Sequence, residues 1–188
     1  LSAGADTWPQ LAHIHTIAFD FDGVFTNNKV YVTQEGLELV RCDRGDGLGI
    51  NFLQSCIRRG VLNAEVFILS KEPNPVVLAR AKKLKLECRH GVSDKLAFMD
   101  EYLASRNLGQ QDPYRGLVFL GNDLNDLPLM SKGGWSVAPE DAHPRVKEMA
   151  SAVLPWRGGE GFVRAFVEQL LGIGHMTTEE IYELVRYC

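Results

Sequence analysis

Asp20 and Asp22 are the residues from which chemistry can first be read. They stand two apart after the apolar run Ile17-Ala18-Phe19, and Gly23 follows. An apolar run that ends in glycine reads as a buried strand entering a turn. Side chains alternate along a strand, so carboxylates two apart leave it on the same side. Two acids there repel unless a positive charge stands between them. A hard cation such as Mg2+, which prefers oxygen ligands, answers that need. Taken alone, Asp-x-Asp-Gly fits equally a strand that ends in an Asx turn.

Three further stretches extend the pattern. Ser70 ends the run Glu65-Val66-Phe67-Ile68-Leu69, and Lys95 opens a helix-like segment after Ser93-Asp94. Gly121-Asn122-Asp123-Leu124-Asn125-Asp126 follows Leu117-Val118-Phe119-Leu120. In chain order these are an acid pair, a hydroxyl, a lysine and an acidic loop, each at a strand end or helix start. The order resembles the four motifs of the haloacid dehalogenase-like phosphohydrolase superfamily. The same groups suit phosphoryl transfer. Asp20 can attack phosphorus as a carboxylate nucleophile. Asp22 can protonate the leaving alcohol and later take a proton from water. Ser70 and the turn amides can hold phosphoryl oxygens, and Lys95 offers a compact positive charge. Mg2+ held by Asp20 and the 121–126 loop would screen the anionic nucleophile from the anionic substrate.

These groups must be positioned by strands alternating with helices. That alternation implies an α/β fold with a parallel sheet and helices on both faces. Strands are expected at the run before Asp20 and near 65–69, 86–90, 117–120, 135–138 and 152–154. Helices are expected from Asp46 to about Arg59, from Val76, and over 95–107, 124–131, 162–171 and 178–187. Asp46 suits the N-cap of the first, and Thr177-x-x-Glu180 is a capping box for the last. Lys29 to Thr33 and Leu37 to Cys42, around Gln34-Glu35-Gly36, read as a hairpin. Its apolar sides lie far from any covering helix, and such a projection tends to find a partner surface. His13 and His15 read as half-buried strand histidines, and Arg44 is a candidate anion contact. Residues 1–12 read as a leader or linker, 13–174 as the phosphatase domain and 175–188 as a C-terminal helix.

Composition bounds the partners. The chain has 188 residues, 45% hydrophobic and 23% charged, so one globular domain can bury a core without disulfides or structural metal. A net charge of −4 argues against a general attraction to nucleic acid. No apolar stretch reaches the length of a membrane span, and no secretory signal is visible. Cys42, Cys56, Cys88 and Cys188 are scattered, as reduced thiols of a cytoplasmic protein are. The chain starts with Leu1, not Met, which leaves room for a longer protein.

A narrower resemblance is carried by Asp20-Phe21-Asp22-Gly23-Val24-Phe25-Thr26, the hairpin, Asp46-Gly47-Leu48-Gly49-Ile50, Ser93-Asp94-Lys95 and Arg157-Gly158-Gly159-Glu160-Gly161. Together they are similar to the small, capless branch of the superfamily. That branch includes 3-deoxy-manno-octulosonate 8-phosphate phosphatases and nonulosonate (sialic acid-type) 9-phosphate phosphatases. It also includes a domain fused behind some CMP-sialic acid synthetases. The resemblance implies a Rossmann-like core with a projecting β-hairpin and no large cap domain. It implies a Mg2+ cofactor and a homotetramer built through the 29–42 hairpin. It implies Asp20 as nucleophile and metal ligand, Asp22 as acid/base and carbonyl ligand, and Ser70 and Lys95 as phosphate-binding residues.

Three positions depart from the branch. Asn122 stands where its phosphatases usually carry a metal-binding Asp, with Asp123 beside it and Asp126 retained. Ser70-Lys71-Glu72 replaces the Thr-Gly-Arg of octulosonate phosphatases, and Glu72 looks more like the nonulosonate branch. Gly45 replaces an arginine before Asp46-Gly47. The expectation is therefore a Mg2+-dependent phosphomonoesterase acting on a small-molecule sugar-acid phosphate, foremost a nonulosonate 9-phosphate. The alternatives are a tetramerisation domain of a CMP-sialic acid synthetase and an octulosonate 8-phosphate phosphatase.

Overall fold

The computed structural model describes residues 8–106, 108, 112–186 and 188. Six strands form one parallel sheet: β1 (Thr16–Phe19), β4 (Glu65–Leu69), β5 (Glu87–Arg89), β6 (Leu117–Leu120), β7 (Trp135–Pro139) and β8 (Ala152–Leu154). Their order is β5-β4-β1-β6-β7-β8, so the first strand in sequence lies at the centre, between β4 and β6. All four residues of β1 and of β6 are buried, as expected of strands covered on both faces, and both read as unbroken apolar runs.

The helices are α1 (Gly45–Arg58), α2 (Val76–Leu84), α3 (Lys95–Ala104), α4 (Leu127–Met130), α5 (Pro144–Met149), α6 (Phe162–Leu171) and α7 (Thr178–Arg186). Two cores result, one on each face of the sheet. The larger packs α1 and α6 over Ile17, Phe19, Phe21 and Phe25. The smaller packs Met99 and Leu103 of α3 under Ala18, Phe67 and Phe119. The hairpin, β2 (Thr26–Val32) and β3 (Glu38–Cys42), forms its own two-stranded antiparallel sheet beyond the strand ends. Among the described residues, no helix is long and apolar enough to cross a membrane.

Several local expectations change. Asp46 does not cap its own helix. The N-cap position of α1 is Arg44, which makes no side-chain cap. Asp46 is buried, and its Oδ1 accepts the backbone N–H of Arg164 at 2.9 Å, in the first turn of α6. The N-cap of α6 is Gly161, which has no side chain to offer, so Asp46 supplies the missing acceptor from another helix. His13 is exposed in a 3₁₀ turn ahead of β1. His15 is buried, 2.9 Å from the Pro113 carbonyl through Nε2. The 124–131 helix divides into a 3₁₀ turn, Leu124–Asp126, and α4. The capping box at Thr177 and Glu180 forms in both directions. Of the expected leader, residues 1–7 lie outside the described residues, as do Asn107 and Tyr187 at the expected helix ends. Trp8 packs on Trp135, ring centroids 4.4 Å apart.

Candidate active site

The site is built where β1, β4 and β6 end. The turn after β1 is pinned from beneath. Asp20 N donates to the Leu120 carbonyl at 2.8 Å, and the amides of Val24, Phe25 and Thr26 all donate to the Phe21 carbonyl. Phe21 and Phe25 are fully buried, so the core holds the turn in register. Gly23 has φ +79°, and a Cβ there would stand 2.0 Å from Asn122 Nδ2. Only glycine lets the two loops approach this closely.

Lys95 is the first residue of α3 and is buried. Its Nζ lies 2.7 Å from Asp20 Oδ1 and 2.7 Å from Asp126 Oδ1. Asp126 commits its other oxygen to the acidic loop, where Oδ2 accepts the amides of Asn122 at 2.8 Å and Asp123 at 3.2 Å. It therefore positions Lys95 and the loop, with neither oxygen spare. Asp20 Oδ1 also accepts the Phe21 amide at 2.7 Å, which leaves Oδ2 without a partner among the described residues.

The electrostatics follow from two buried carboxylates set against one ammonium. Burial pushes Asp20 up to about 7; Lys95 pulls it back and Asp126 pushes it further up. Burial would lower Lys95, but the two carboxylates outweigh it and hold it above its ordinary value. Asp22 is half-buried, and desolvation raises it while the Thr26 hydroxyl, 3.3 Å away, opposes the rise.

A cleft of about 300 Å³ opens over these groups, lined by Asp20, Asp22, Ser70, Glu72, Asn122 and Asp123 together with Asn28, Lys71, Pro73 and Asn125. Ser70 Oγ accepts the Glu72 amide at 3.1 Å, and its proton remains available to a ligand. Glu72 Oε1 accepts the Asn74 amide at 2.8 Å. Asp123 caps the 3₁₀ turn through Leu124 N at 2.7 Å. Lys95 and Asp126 lie just beneath the cleft floor. Arg44 is exposed and does not line the cleft.

The residues fit a hard divalent cation. Among the described residues Asn122 Oδ1 is buried with no hydrogen-bond partner, and two buried carboxylates, Asp20 and Asp126, share one ammonium. Among the described residues, no three His, Cys, Asp or Glu side chains converge to hold a metal. The available oxygens are then those of Asp20 and Asn122 with a backbone carbonyl of the turn. Mg2+ suits so sparse a set, because it keeps several of its waters.

Two features escape the sequence reading. The Gly158 and Gly159 loop buttresses the turn after β1, with Gly159 N donating to the Val24 carbonyl at 3.1 Å. The Asp-x-Asp-Gly turn and the glycine run are each visible in sequence, but their contact is not. Asn28 lines the cleft from a left-handed backbone, φ +57°, where only the Asn-Asn pair before the hairpin hints at a turn.

Comparison with known proteins agrees with this geometry. A family described as haloacid dehalogenase-like hydrolase matches residues 79–166. The 3-deoxy-D-manno-octulosonate 8-phosphate phosphatase KdsC of Yersinia pestis is 30% identical over 167 residues, 88% of this chain and 84% of that protein. A HAD family hydrolase from Streptomyces avermitilis superposes with a TM-score of 0.79 at 34% identity, covering 92% of this chain and 94% of that one. The cobalt-bound octulosonate 8-phosphate phosphatase of Haemophilus influenzae superposes with a TM-score of 0.74 at 25% identity, over 87% and 91% of the two chains. With the four ordered motifs drawn together at the ends of β1, β4 and β6 on a matching fold, this chain belongs to the haloacid dehalogenase-like hydrolases and is a phosphoric monoester hydrolase.

Proposed function

We propose that the chain is a Mg2+-dependent phosphatase of sugar-acid phosphates, with 3-deoxy-D-manno-octulosonate 8-phosphate as its substrate. The observation that carries the chemistry is Asp20, fixed through Oδ1 by Lys95 at 2.7 Å and by the Phe21 amide, with Oδ2 unpartnered among the described residues beside an open cleft. The KdsC relative, similar over nearly its whole length, supports the substrate. A nonulosonate 9-phosphate is the second reading, favoured by Glu72 in the cleft wall.

In this reading Asp20 Oδ2 attacks phosphorus, and the bond from phosphorus to the sugar oxygen breaks. Asp22, whose affinity for a proton burial raises above its ordinary value, delivers its proton to that oxygen. Ser70 Oγ donates to a phosphoryl oxygen, and Lys95 offsets the charge that accumulates on Asp20 and the phosphate. Asp22 then takes a proton from water as the water attacks the aspartyl phosphate, which frees phosphate and restores Asp20. Mg2+, held by Asp20, Asn122 and the Asp22 carbonyl, would neutralise the approach of two anions. Asn122 brings no charge of its own, so the affinity for Mg2+ is set chiefly by Asp20.

We also assign the hairpin to self-assembly into a tetramer. Val30, Tyr31, Val32, Leu37 and Leu39 are each more than half exposed, an apolar surface that a monomer rarely leaves open.

Phosphate release from 3-deoxy-D-manno-octulosonate 8-phosphate and from a nonulosonate 9-phosphate, with Mg2+ and with chelator, tests the reading. Release should require Mg2+, and Asp20→Asn should lower it by about a thousandfold or more. Turnover of Asp20→Asn at the wild-type rate would exclude Asp20 as nucleophile. No release from either sugar acid by the wild-type chain would exclude the substrate class.

A further inference from the structure

A second cavity of about 250 Å³ adjoins the phosphate cleft, walled by Val30, Val40 and Val76 with Glu38. Three residues line both spaces: Asp22, Asn28 and Glu72. A phosphate monoester long enough to span them passes between these three. Asp22 is the residue whose proton goes to the leaving oxygen. Glu72 is an acceptor already bonded to the Asn74 amide. Asn28 alone carries an amide, able both to donate and to accept.

The backbone places Asn28 there deliberately. The β2–β3 register shifts between Thr26 and Val30, a bulge that re-aims the chain at the cleft mouth. Asn28 sits within that bulge at φ +57°, a conformation that costs most side chains energy and that Asn tolerates best after glycine. Its amide N–H donates to Thr26 Oγ1 at 3.2 Å, and the same hydroxyl accepts Gly23 N at 3.2 Å and donates to Asp22 Oδ1 at 3.3 Å. Asn28 is thus held in fixed relation to the acid/base residue. Its side chain is exposed, with no hydrogen-bond partner among the described residues.

We propose that Asn28 determines specificity for the leaving group. Its amide hydrogen-bonds a hydroxyl of the polyol chain near the phosphoester carbon, and so holds the leaving oxygen in line with Asp22. The inference rests on the phosphatase reading above and extends it to the selection of a hydroxylated alkyl leaving group over one without hydroxyls.

Asn28→Gly tests it, because glycine accepts the positive φ and removes only the amide. Wild type and variant are compared on three substrates with Mg2+: 3-deoxy-D-manno-octulosonate 8-phosphate, glucitol 6-phosphate and p-nitrophenyl phosphate. The variant should lose about tenfold in kcat/KM on the hydroxylated substrates, in kcat as well as in KM, and at least fivefold less on p-nitrophenyl phosphate. Its melting temperature should not fall, which separates the role from a structural one. Equal losses on all three substrates, or no loss on the polyols, would overturn the proposal. Wild-type hydrolysis of glucitol 6-phosphate without that of the octulosonate would reject the sugar-acid reading, with the Asn28 comparison then read on glucitol 6-phosphate. Wild-type hydrolysis of p-nitrophenyl phosphate alone would overturn Asn28 as a polyol contact while leaving the phosphatase standing.

Discussion

Asp46 shows how far a single side chain can be used away from the chemistry. It is buried, one oxygen accepts the Arg164 amide, and Oδ2 has no partner among the described residues. Burial pushes its pKa up to about 7. The sign is that of a raised acid: the proton favours the folded state, fully below the unfolded value near 3.8, and the benefit is lost as pH rises through about 7. Asp46→Asn keeps an acceptor for Arg164 N without the charge. Between pH 6 and pH 8 the wild-type chain should lose about 1 kcal/mol relative to that variant. Calorimetry should record this as a fall of about 2–4 °C in the difference of their melting temperatures. At this scale the sequence was readable where the candidate residues cluster: Asp20, Asp22, Ser70, Glu72, Asn122 and Asp123 all line one cleft. It was opaque where a partner is remote. Nothing near Asp46 in sequence announces Arg164, and no alternation pattern reveals the bulge that presents Asn28.

Among the elements, the loop from Arg157 to Gly161 carries the most consequence for its size. A Cβ on Gly158 would lie 1.9 Å from the Gly23 carbonyl oxygen, backbone against backbone, with no flexible atom to yield. Gly158→Ala should therefore destabilise the chain by about 2–3 kcal/mol in urea and lower kcat as well, because the displaced atoms belong to the turn that carries the proposed nucleophile. A variant with wild-type stability and kcat would mean that the two loops separate freely. Strands and long helices were legible because their burial is periodic or continuous. α5 was not, since its six residues bury only Val146 and show no stripe. The 3₁₀ turn at Leu124–Asp126 was merged with α4 because Leu124 and Leu127 mimic helical spacing, whereas Asp123 and Asp126 cap each other and tighten the turn.

At the scale of the molecule, the alternation of strands and helices was enough to expect the parallel sheet, whereas assembly has to be measured. Tyr31 is 58% exposed on the apolar side of the hairpin. Tyr31→Asp should reduce the proposed tetramer to one or two chains in light scattering after gel filtration, and an unaltered mass would remove the hairpin from the interface. The central place of β1 has a different consequence, for the order of events during synthesis. β1 leaves the ribosome before the other strands of its sheet, yet its second neighbour, β6, is completed only at Leu120, and the loop that meets Asp20 through Lys95 only at Asp126. Until then the nascent strand has a bare edge, and its aspartate lacks the completed charge cluster, so the growing chain is most exposed to mispairing in the interval before β6 emerges.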